Sequence, residues 1–246
     1  MDPMAKSKRP NLLKMIHTLE EDGEAPPDRQ DELPLDPQLA LLRAWQAERL
    51  SRTYADFLAD VRYRSACSFF LSDIYAPRDF SQRDRDFDHL YEVLSRVIPA
   101  KMLRLLRQAI ALNQMTYDLD NRLLHILVSE LGMDELLTPE LYAEGYRRCN
   151  NYSERLEQIA ALTAIVGEVG AGVHLPLVGS VLRLARRPAL RMGWFELFDF
   201  LERGYQAFQP IKDVSPFVQA IEQREARILE HIYSRGADPF EISEFT

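Results

Sequence analysis

The sequence predicts an all-α fold: one compact domain of about eight to ten helices, given typical helix lengths, behind a flexible N-terminal arm. From residue 37 onward, apolar residues recur at steps of three and four, which is the period of an amphipathic helix. No stretch alternates apolar and polar residues between hairpin turns, as a half-buried strand would. The 246 residues are 46% hydrophobic and include two cysteines, which excludes a disordered chain and a disulfide scaffold.

The first 36 residues differ from the rest. Residues 11–19 have the spacing of a short amphipathic helix, and residues 20–36 carry eight acidic side chains and three prolines. That second stretch buries too little apolar surface to offset the entropy of ordering the chain, so we expect a mobile linker. Residues 1–36 hold 5 basic and 9 acidic groups, against 25 and 29 in residues 37–246. The predicted helical domain, residues 37–246, is therefore nearly neutral.

The overall charge is −8, whereas a nucleic-acid-binding protein usually carries an excess of positive charge. No apolar stretch of a secretory signal follows the first residues. The two thiols, Cys67 and Cys149, are typical of a reducing compartment. We therefore predict a cytoplasmic protein that does not bind nucleic acid.

Capping signals divide the helical domain into segments. The predicted helix starts are Asp36-Pro37, Ser81, Pro99, Thr138-Pro139, Ser153, His174, Pro188 and Ser215-Pro216. A further segment at residues 63–75 ends before Pro77. The segment after Pro99 is expected to break near Thr116, because its apolar pattern runs beyond the roughly 8–20 residues of a typical globular helix. Gly236 is the predicted C-cap of the last helix.

The first candidate site is the aromatic segment around Phe69. Phe69, Phe70 and Asp73 share one side of a predicted helix, which places a carboxylate beside aromatic rings. One interpretation is a ligand contact. The alternative is an aromatic core helix in which a nearby arginine, such as Arg78, pairs with Asp73, because buried charges are normally paired.

This segment also resembles a known family. Residues 69–75 are similar to the signature "FFLEELY" of a family of uncharacterised bacterial helical proteins, with Ser-Asp-Ile in place of Glu-Glu-Leu. Residues 49–56, 77–81, 187–189 and 200–204 extend the resemblance over most of the chain. It implies an all-helical fold and carries no activity, cofactor or catalytic residue.

The second candidate is the most apolar stretch, residues 159–185. Glu168, His174 and Pro176 interrupt it, and a charge at bilayer depth costs at least about 2.5 kcal/mol. Two helices joined by a glycine-rich turn are therefore favoured over a membrane span. Glu168 and His174 are a candidate proton-transfer pair or two ligands of a metal. The chain lacks the Glu-x-x-His pairs of helical di-iron proteins, so we predict no metal site and assign no cofactor.

The third candidate is a basic cluster followed by aromatic residues. Its members are Arg183, Arg186, Arg187 and Arg191, with Trp194 and Phe198 after them. A helix beginning at Pro188 would add free N–H groups and make an anion site for a phosphate, a nucleotide or an acidic partner. The alternative is ion pairing with neighbouring carboxylates, namely Glu196, Asp199 and Glu202.

A motif-poor helical domain behind a polar arm favours a non-catalytic protein that binds a partner protein through residues 1–36. The alternative is a site for a small apolar or anionic ligand. Its predicted lining is Phe69, Phe70, Trp194, Phe195 and Phe198, with Arg187 or Glu168 orienting a polar group. A metal-dependent oxidase of the helical-bundle type is the third hypothesis.

Overall fold

A computed structural model describes residues 36–74, 100–175, 178–191, 195–235 and 240. Within these ranges the chain forms nine α-helices and no strand, which confirms the all-α prediction. The helices are α1 (Pro37–Thr53), α2 (Ala55–Ala59), α3 (Arg64–Phe69), α4 (Ala100–His125), α5 (Pro139–Cys149), α6 (Tyr152–Gly172), α7 (Val178–Arg191), α8 (Phe195–Phe208) and α9 (Ser215–Tyr233). Two π-helical segments extend α3 and α4, at Phe70–Ile74 and Ile126–Glu130 respectively. Residues 1–35 of the predicted arm and the helix predicted from Ser81 lie outside the described residues.

Local capping chemistry begins several helices where the sequence predicts. The Asp36 carboxylate accepts hydrogen bonds from the backbone N–H groups of Gln38, at 2.9 Å, and Leu39, at 3.1 Å. The Thr138 hydroxyl accepts from the N–H of Leu141 at 3.2 Å. These bonds satisfy donors that have no partner inside the helix. The predicted starts of α1 and α5 are therefore confirmed.

Two predicted helix breaks are wrong. Helix α4 and its π-helical extension continue past Thr116 to Glu130. At Thr116 the helix packs along α6, and the Thr116 hydroxyl accepts a hydrogen bond from Gln158 of α6 at 2.8 Å. Helix α7 passes through Pro188 and ends at Arg191. Proline has a helical φ and removes only one backbone hydrogen bond, so a helix packed against α8 accommodates it.

The C-terminal end of α9 differs in detail from the prediction. The helix ends at Tyr233, and Arg235 adopts a left-handed conformation with φ of 56°. A left-handed residue after a helix is the usual stop signal. The predicted cap, Gly236, lies outside the described residues.

The apolar stretch at residues 159–185 divides between α6 and α7, as the two-helix interpretation predicts. A turn at residues 173–175 ends α6. In the part of the chain that the structure describes, no helix has an apolar stretch long enough to span a bilayer.

The core contains two large apolar clusters. One joins α3, α6, α8 and α9 and includes Phe208 and Phe217, and the other joins α1, α4 and α5 and includes Leu42 and Leu123. Helix α5 approaches α4 closely at Gly145, where a Cβ atom would lie 2.8 Å from the Leu127 side chain. Helix α6 packs against both α4 and α9, so polar residues on its inner side lie between the clusters.

Candidate functional site

Polar side chains from five helices meet at a cavity of about 90 Å³ in the centre of the fold. We call it the central polar cavity. Its polar lining is Gln46, Arg49, Tyr54, Thr116, Asp120, Tyr142, Tyr146, Arg155, Gln158 and Glu225, and its apolar lining includes Phe70, Phe217 and Ile221. Several of these polar residues reach the interior because they lie within the apolar stripe of a helix. Gln46 and Arg49, for example, share the buried side of α1 with Leu42, Trp45 and Leu50.

On one side of the cavity, Arg49 pairs with Glu225. Arg49 is 9% exposed, and its Nη1 donates to both carboxylate oxygens, at 2.6 and 2.7 Å. The Tyr54 hydroxyl donates to the same carboxylate at 2.9 Å. Burial lowers the pKa of Arg49, but Glu225, Tyr142 and Tyr146 together outweigh burial, so the pKa is raised. Burial, and secondarily Glu225, raises the pKa of Tyr54 well above its usual value. Arg49 is therefore charged and Tyr54 is a neutral donor.

On the other side, Arg155 pairs with Asp120. Two guanidinium nitrogens of Arg155 lie 3.4 Å from Asp120 Oδ1, and one of them also donates to the Leu119 carbonyl at 3.2 Å. The Gln158 carbonyl accepts from Arg155 at 3.0 Å. Burial lowers the pKa of Arg155, but neighbours led by Tyr146 and Asp120 outweigh it and raise the pKa. The buried guanidinium is thus charged and held by three residues.

Gln46 and two tyrosines connect these ion pairs. Gln46 Nε2 lies 3.3 Å from Asp120 Oδ1 and 3.5 Å from the Tyr142 hydroxyl, which donates to Tyr146 at 3.0 Å. The Arg155 guanidinium lies over the Tyr146 ring, 4.6 Å from its centroid, a favourable cation–π distance. Burial raises the pKa of Tyr142 well above its usual value, so this phenol is neutral.

Three buried atoms of this network lack a hydrogen-bond partner among the described residues. They are Gln46 Oε1, Arg49 Nε and Arg155 Nε. A buried polar atom without a partner costs roughly 1–3 kcal/mol. Each of the three atoms has less than 1 Å² of exposed surface, so all three are enclosed by protein atoms and do not face the open space of the cavity.

Cys67 also lines the cavity. Burial, and secondarily the charge of Asp56, raises the pKa of its thiol to about 11. The thiolate is the nucleophilic form of cysteine, so Cys67 is an unreactive, protonated lining residue at neutral pH.

Comparison with known proteins places the chain in a family. Residues 26–239 match the family model described as "Domain of unknown function (DUF8198)". The chain belongs to the DUF8198 family. The match begins inside the predicted arm, residues 1–36, and includes all ten polar residues of the central polar cavity. No curated protein and no solved structure matches the chain. The resemblance to the FFLEELY family stays a prediction.

The aromatic residues of the predicted site are distributed through this DUF8198 domain. Phe70 lines the central polar cavity. Phe69 is buried and packs 5.1 Å from the Phe200 ring, measured between centroids, and Phe198 is buried as well. Neither Phe69 nor Phe198 lines the cavity. Trp194 lies outside the described residues.

Asp73 is part of an ion pair, as one of the two interpretations predicts. It is 4% exposed, and its Oδ1 accepts from Arg203 Nε at 2.9 Å and Nη2 at 2.6 Å. The Ser72 hydroxyl donates to Oδ2 at 2.7 Å. The partner is Arg203 on α8, whereas the suggested Arg78 lies outside the described residues. Asp73 therefore ties the π-helical segment to α8.

Glu168 and His174 have separate surroundings. His174 Nε2 donates to the Ile211 carbonyl at 2.6 Å, and its ring lines a shallow groove beside Gly170 and Val214. Glu168 is half-buried, and its Oε2 has no hydrogen-bond partner among the described residues. No described contact joins Glu168 to His174. Within the described residues, no three side chains of His, Cys, Asp or Glu come together.

Arg183, Arg187 and Arg191 are exposed on α7. Because α7 runs through Pro188, no helix begins at that proline, and an anion site at these arginines stays a prediction. Arg183 donates to the hydroxyl of Ser180 at 3.4 Å. The acidic neighbour Asp199 pairs with Arg203 on its own helix.

None of the ten polar residues of the central polar cavity is among the site residues that the sequence predicts. A signal for them exists, because a polar residue that interrupts an apolar stripe at helical spacing is expected to be buried. Gln46 beside Trp45, Asp120 beside Leu119 and Glu225 between Ile221 and Ile228 have this pattern. The pattern does not show which of these residues contact each other.

Proposed function

We propose that this protein binds a small polar molecule in the central polar cavity. The observation that carries the proposal is the cavity itself, at which ten polar residues, Arg49 and Arg155 among them, come together. The remaining lining is largely apolar and aromatic. Small-molecule sites typically have this composition, in which a few oriented polar groups are set in an apolar wall.

The two arginines are held in place without a ligand. Glu225 on α9 holds Arg49, and Asp120 and Leu119 on α4 hold Arg155. Because the terminal guanidinium nitrogens are already engaged, each guanidinium group has little freedom to turn. Donors fixed before binding lower the entropy cost of association.

The size of the cavity limits the ligand. Its volume of about 90 Å³ equals roughly three water molecules at the 30 Å³ that each occupies in the liquid. The ligand, or the part of it that is buried, therefore has only a few non-hydrogen atoms. Phe70, which lines the wall, begins the π-helical segment Phe70–Ile74, and π-helical turns are frequent at functional sites.

A thermal-shift screen of small polar metabolites at millimolar concentrations tests the proposal. We expect a ligand that raises the Tm of the wild type but not that of Gln46→Met, which lacks both polar atoms of the amide. The matched control is Gln114→Met on α4, because Gln114 is exposed and, among the described residues, its side chain bonds to Asp118 of its own helix alone. If every compound that raises the Tm of the wild type raises that of Gln46→Met equally, the central polar cavity is not the binding site.

Binding of a partner protein through residues 1–36 stays a prediction, because residues 1–35 lie outside the described residues. A cytoplasmic location also stays a prediction, and the free thiols of Cys67 and Cys149 support it. Co-purification with full-length protein and with a version lacking residues 1–36 tests the role of the arm. Identical partners for the two versions would exclude it.

A further inference from the structure

Helix α7 exposes a strongly basic surface. Its 14 residues include four arginines and no Asp or Glu. Residues at steps of three and four share one side of a helix. The exposed side chains that share one side of α7 in this way are Arg183, Arg186, Arg187 and Leu190. We call this surface the basic face of α7. It presents three guanidinium groups around a leucine that is 50% exposed.

The described residues do not balance the charge of this face. In the part of the chain that the structure describes, the side chains of Arg186 and Arg187 form no ion pair and no hydrogen bond. The Arg183 side chain donates to a neutral group, the Ser180 hydroxyl, at 3.4 Å. An exposed cluster of like charges attracts a partner of the opposite charge. The basic face of α7 is therefore suited to an anionic partner.

The same chain contains a segment of the opposite charge. Residues 20–35, which we call the acidic segment, hold seven acidic side chains and one basic side chain, a net charge of −6. Leu33 and Leu35 stand beside its carboxylates, as Leu190 stands beside the arginines of α7. The match to the DUF8198 family begins at residue 26, so the second part of the acidic segment belongs to the family's domain. The acidic segment thus complements the basic face of α7 in both charge and apolar content.

The acidic segment is long enough to reach α7. It ends beside Asp36, which caps the N-terminus of α1. Sixteen extended residues span up to about 50 Å, and a domain of about 210 residues has a radius of gyration of about 17 Å. A large part of the domain surface is therefore within reach. Because segment and face belong to one chain, their effective concentration is in the millimolar range, whereas a free anion has no such advantage.

We propose that the basic face of α7 is a docking surface for an acidic peptide, and that residues 20–35 of the same chain occupy it. Carboxylates of the acidic segment pair with the guanidinium groups of Arg183, Arg186 and Arg187. An apolar side chain of the segment covers Leu190. A partner protein that binds the arm must then displace the acidic segment from α7. The docking is independent of ligand binding in the central polar cavity.

Limited trypsin digestion of the full chain tests this inference, because the acidic segment contains a single cleavage site, after Arg29. Arg29 lies between the docked carboxylates and the fixed end of the segment at Asp36, so docking keeps the protease from this site. Lys14, in the arm but outside the acidic segment, is the internal reference. Mass spectrometry measures the initial rate of cleavage after Arg29 relative to that after Lys14.

The double variant Arg186→Glu/Arg187→Glu reverses the charge at the centre of the basic face. We expect the relative rate of cleavage to rise at least about threefold, because favourable charge pairs become repulsive. Arg186→Lys/Arg187→Lys keeps the charge and should retain the protection. The matched control is Arg52→Glu/Arg104→Glu, which makes the same change in net charge at exposed positions on α1 and α4. It should leave the relative rate unchanged.

Salt provides a second measurement that needs no variant. Raising the salt concentration from about 0.01 M to about 1 M shortens the screening length from about 30 Å to about 3 Å, so the relative rate should also rise in the wild type. If the charge-reversed variant does not fold, by circular dichroism, the salt series decides, and an unchanged rate overturns the inference.

Three other outcomes would also overturn it. If charge reversal on α7 leaves the relative rate unchanged, or if the control variant raises it equally, the basic face of α7 does not hold the acidic segment. If protection weakens when the protein is diluted, a second copy of the chain supplies the segment, and docking within one chain is excluded.

Discussion

Replacing Arg155 with methionine tests whether the central ion pair between α4 and α6 holds the domain together. Arg155 is 5% exposed, and Asp120, its partner, is 9% exposed. Methionine retains much of the aliphatic length but leaves the Asp120 carboxylate buried without a positive charge. Breaking a buried pair in this way costs about 3–5 kcal/mol. The distances of 3.4 Å between the charged groups are long for such a pair, so we expect about 3 kcal/mol.

An exposed pair provides the matched control. Arg122 pairs with Glu154 at 2.8 Å, with side chains that are 54% and 45% exposed. Solvent screens such a pair, so Arg122→Met should cost no more than about 1 kcal/mol. The two pairs link the same helices, α4 and α6, and differ mainly in burial.

Equilibrium unfolding in urea, followed by circular dichroism, measures both free energies. Against a typical domain stability of about 5–15 kcal/mol, a loss of about 3 kcal/mol shifts the midpoint clearly. Adding Asp120→Asn to Arg155→Met removes the stranded charge and should restore about 1–2 kcal/mol. Equal costs for Arg155→Met and Arg122→Met, or no recovery in the double variant, would refute this reasoning.

Two further predictions concern a pair of glycines and Cys67. Gly145→Ala should lower the free energy of unfolding by about 1–3 kcal/mol, since the new Cβ would lie 2.8 Å from Leu127 and 2.9 Å from Leu123. Gly167→Ala should raise the free energy of unfolding by about 0.5–1 kcal/mol, because the new Cβ would have no atom within 4 Å. Thermal unfolding measures both variants. A change in the same direction for both would contradict the packing argument. The Cys67 pKa of about 11 in the folded state, against 9.0 for a free thiol, means that the unfolded state loses its proton first. Stability should therefore fall as the pH rises from 9 to 11, less steeply in Cys67→Ala, and identical slopes would show that Cys67 does not contribute.

Much of the secondary structure could be predicted because its causes are local. The cap at Asp36 is a bond to residues two and three positions away, and the cap at Thr138 reaches residue 141. The two helix breaks predicted at Thr116 and Pro188 are wrong because their cause is not local. Rules for helix length and for proline are averages over many proteins, and packing along a neighbouring helix overrides them at these two positions.

The candidate site could be predicted only in part. Helical spacing shows that Gln46, Arg49, Asp120 and Glu225 lie within apolar stripes, which indicates burial. It does not show that Arg49 meets Glu225, which is 176 residues away in the chain. The same limit applies to Asp73. Its apolar neighbours in the sequence predict that it is buried and paired, but they do not show that its partner is Arg203, which is 130 residues away.

The sequence by itself determined the all-α class, several helix starts and the near-neutral charge of the helical domain, because periodicity, capping and composition act within a few residues. Only the tertiary structure decided which buried charges pair, which polar atoms lack a partner and where the central polar cavity lies. The physical reason is that a buried guanidinium or carboxylate must find its counter-charge wherever packing brings one within about 3 Å, and that proximity depends on the arrangement of all the helices.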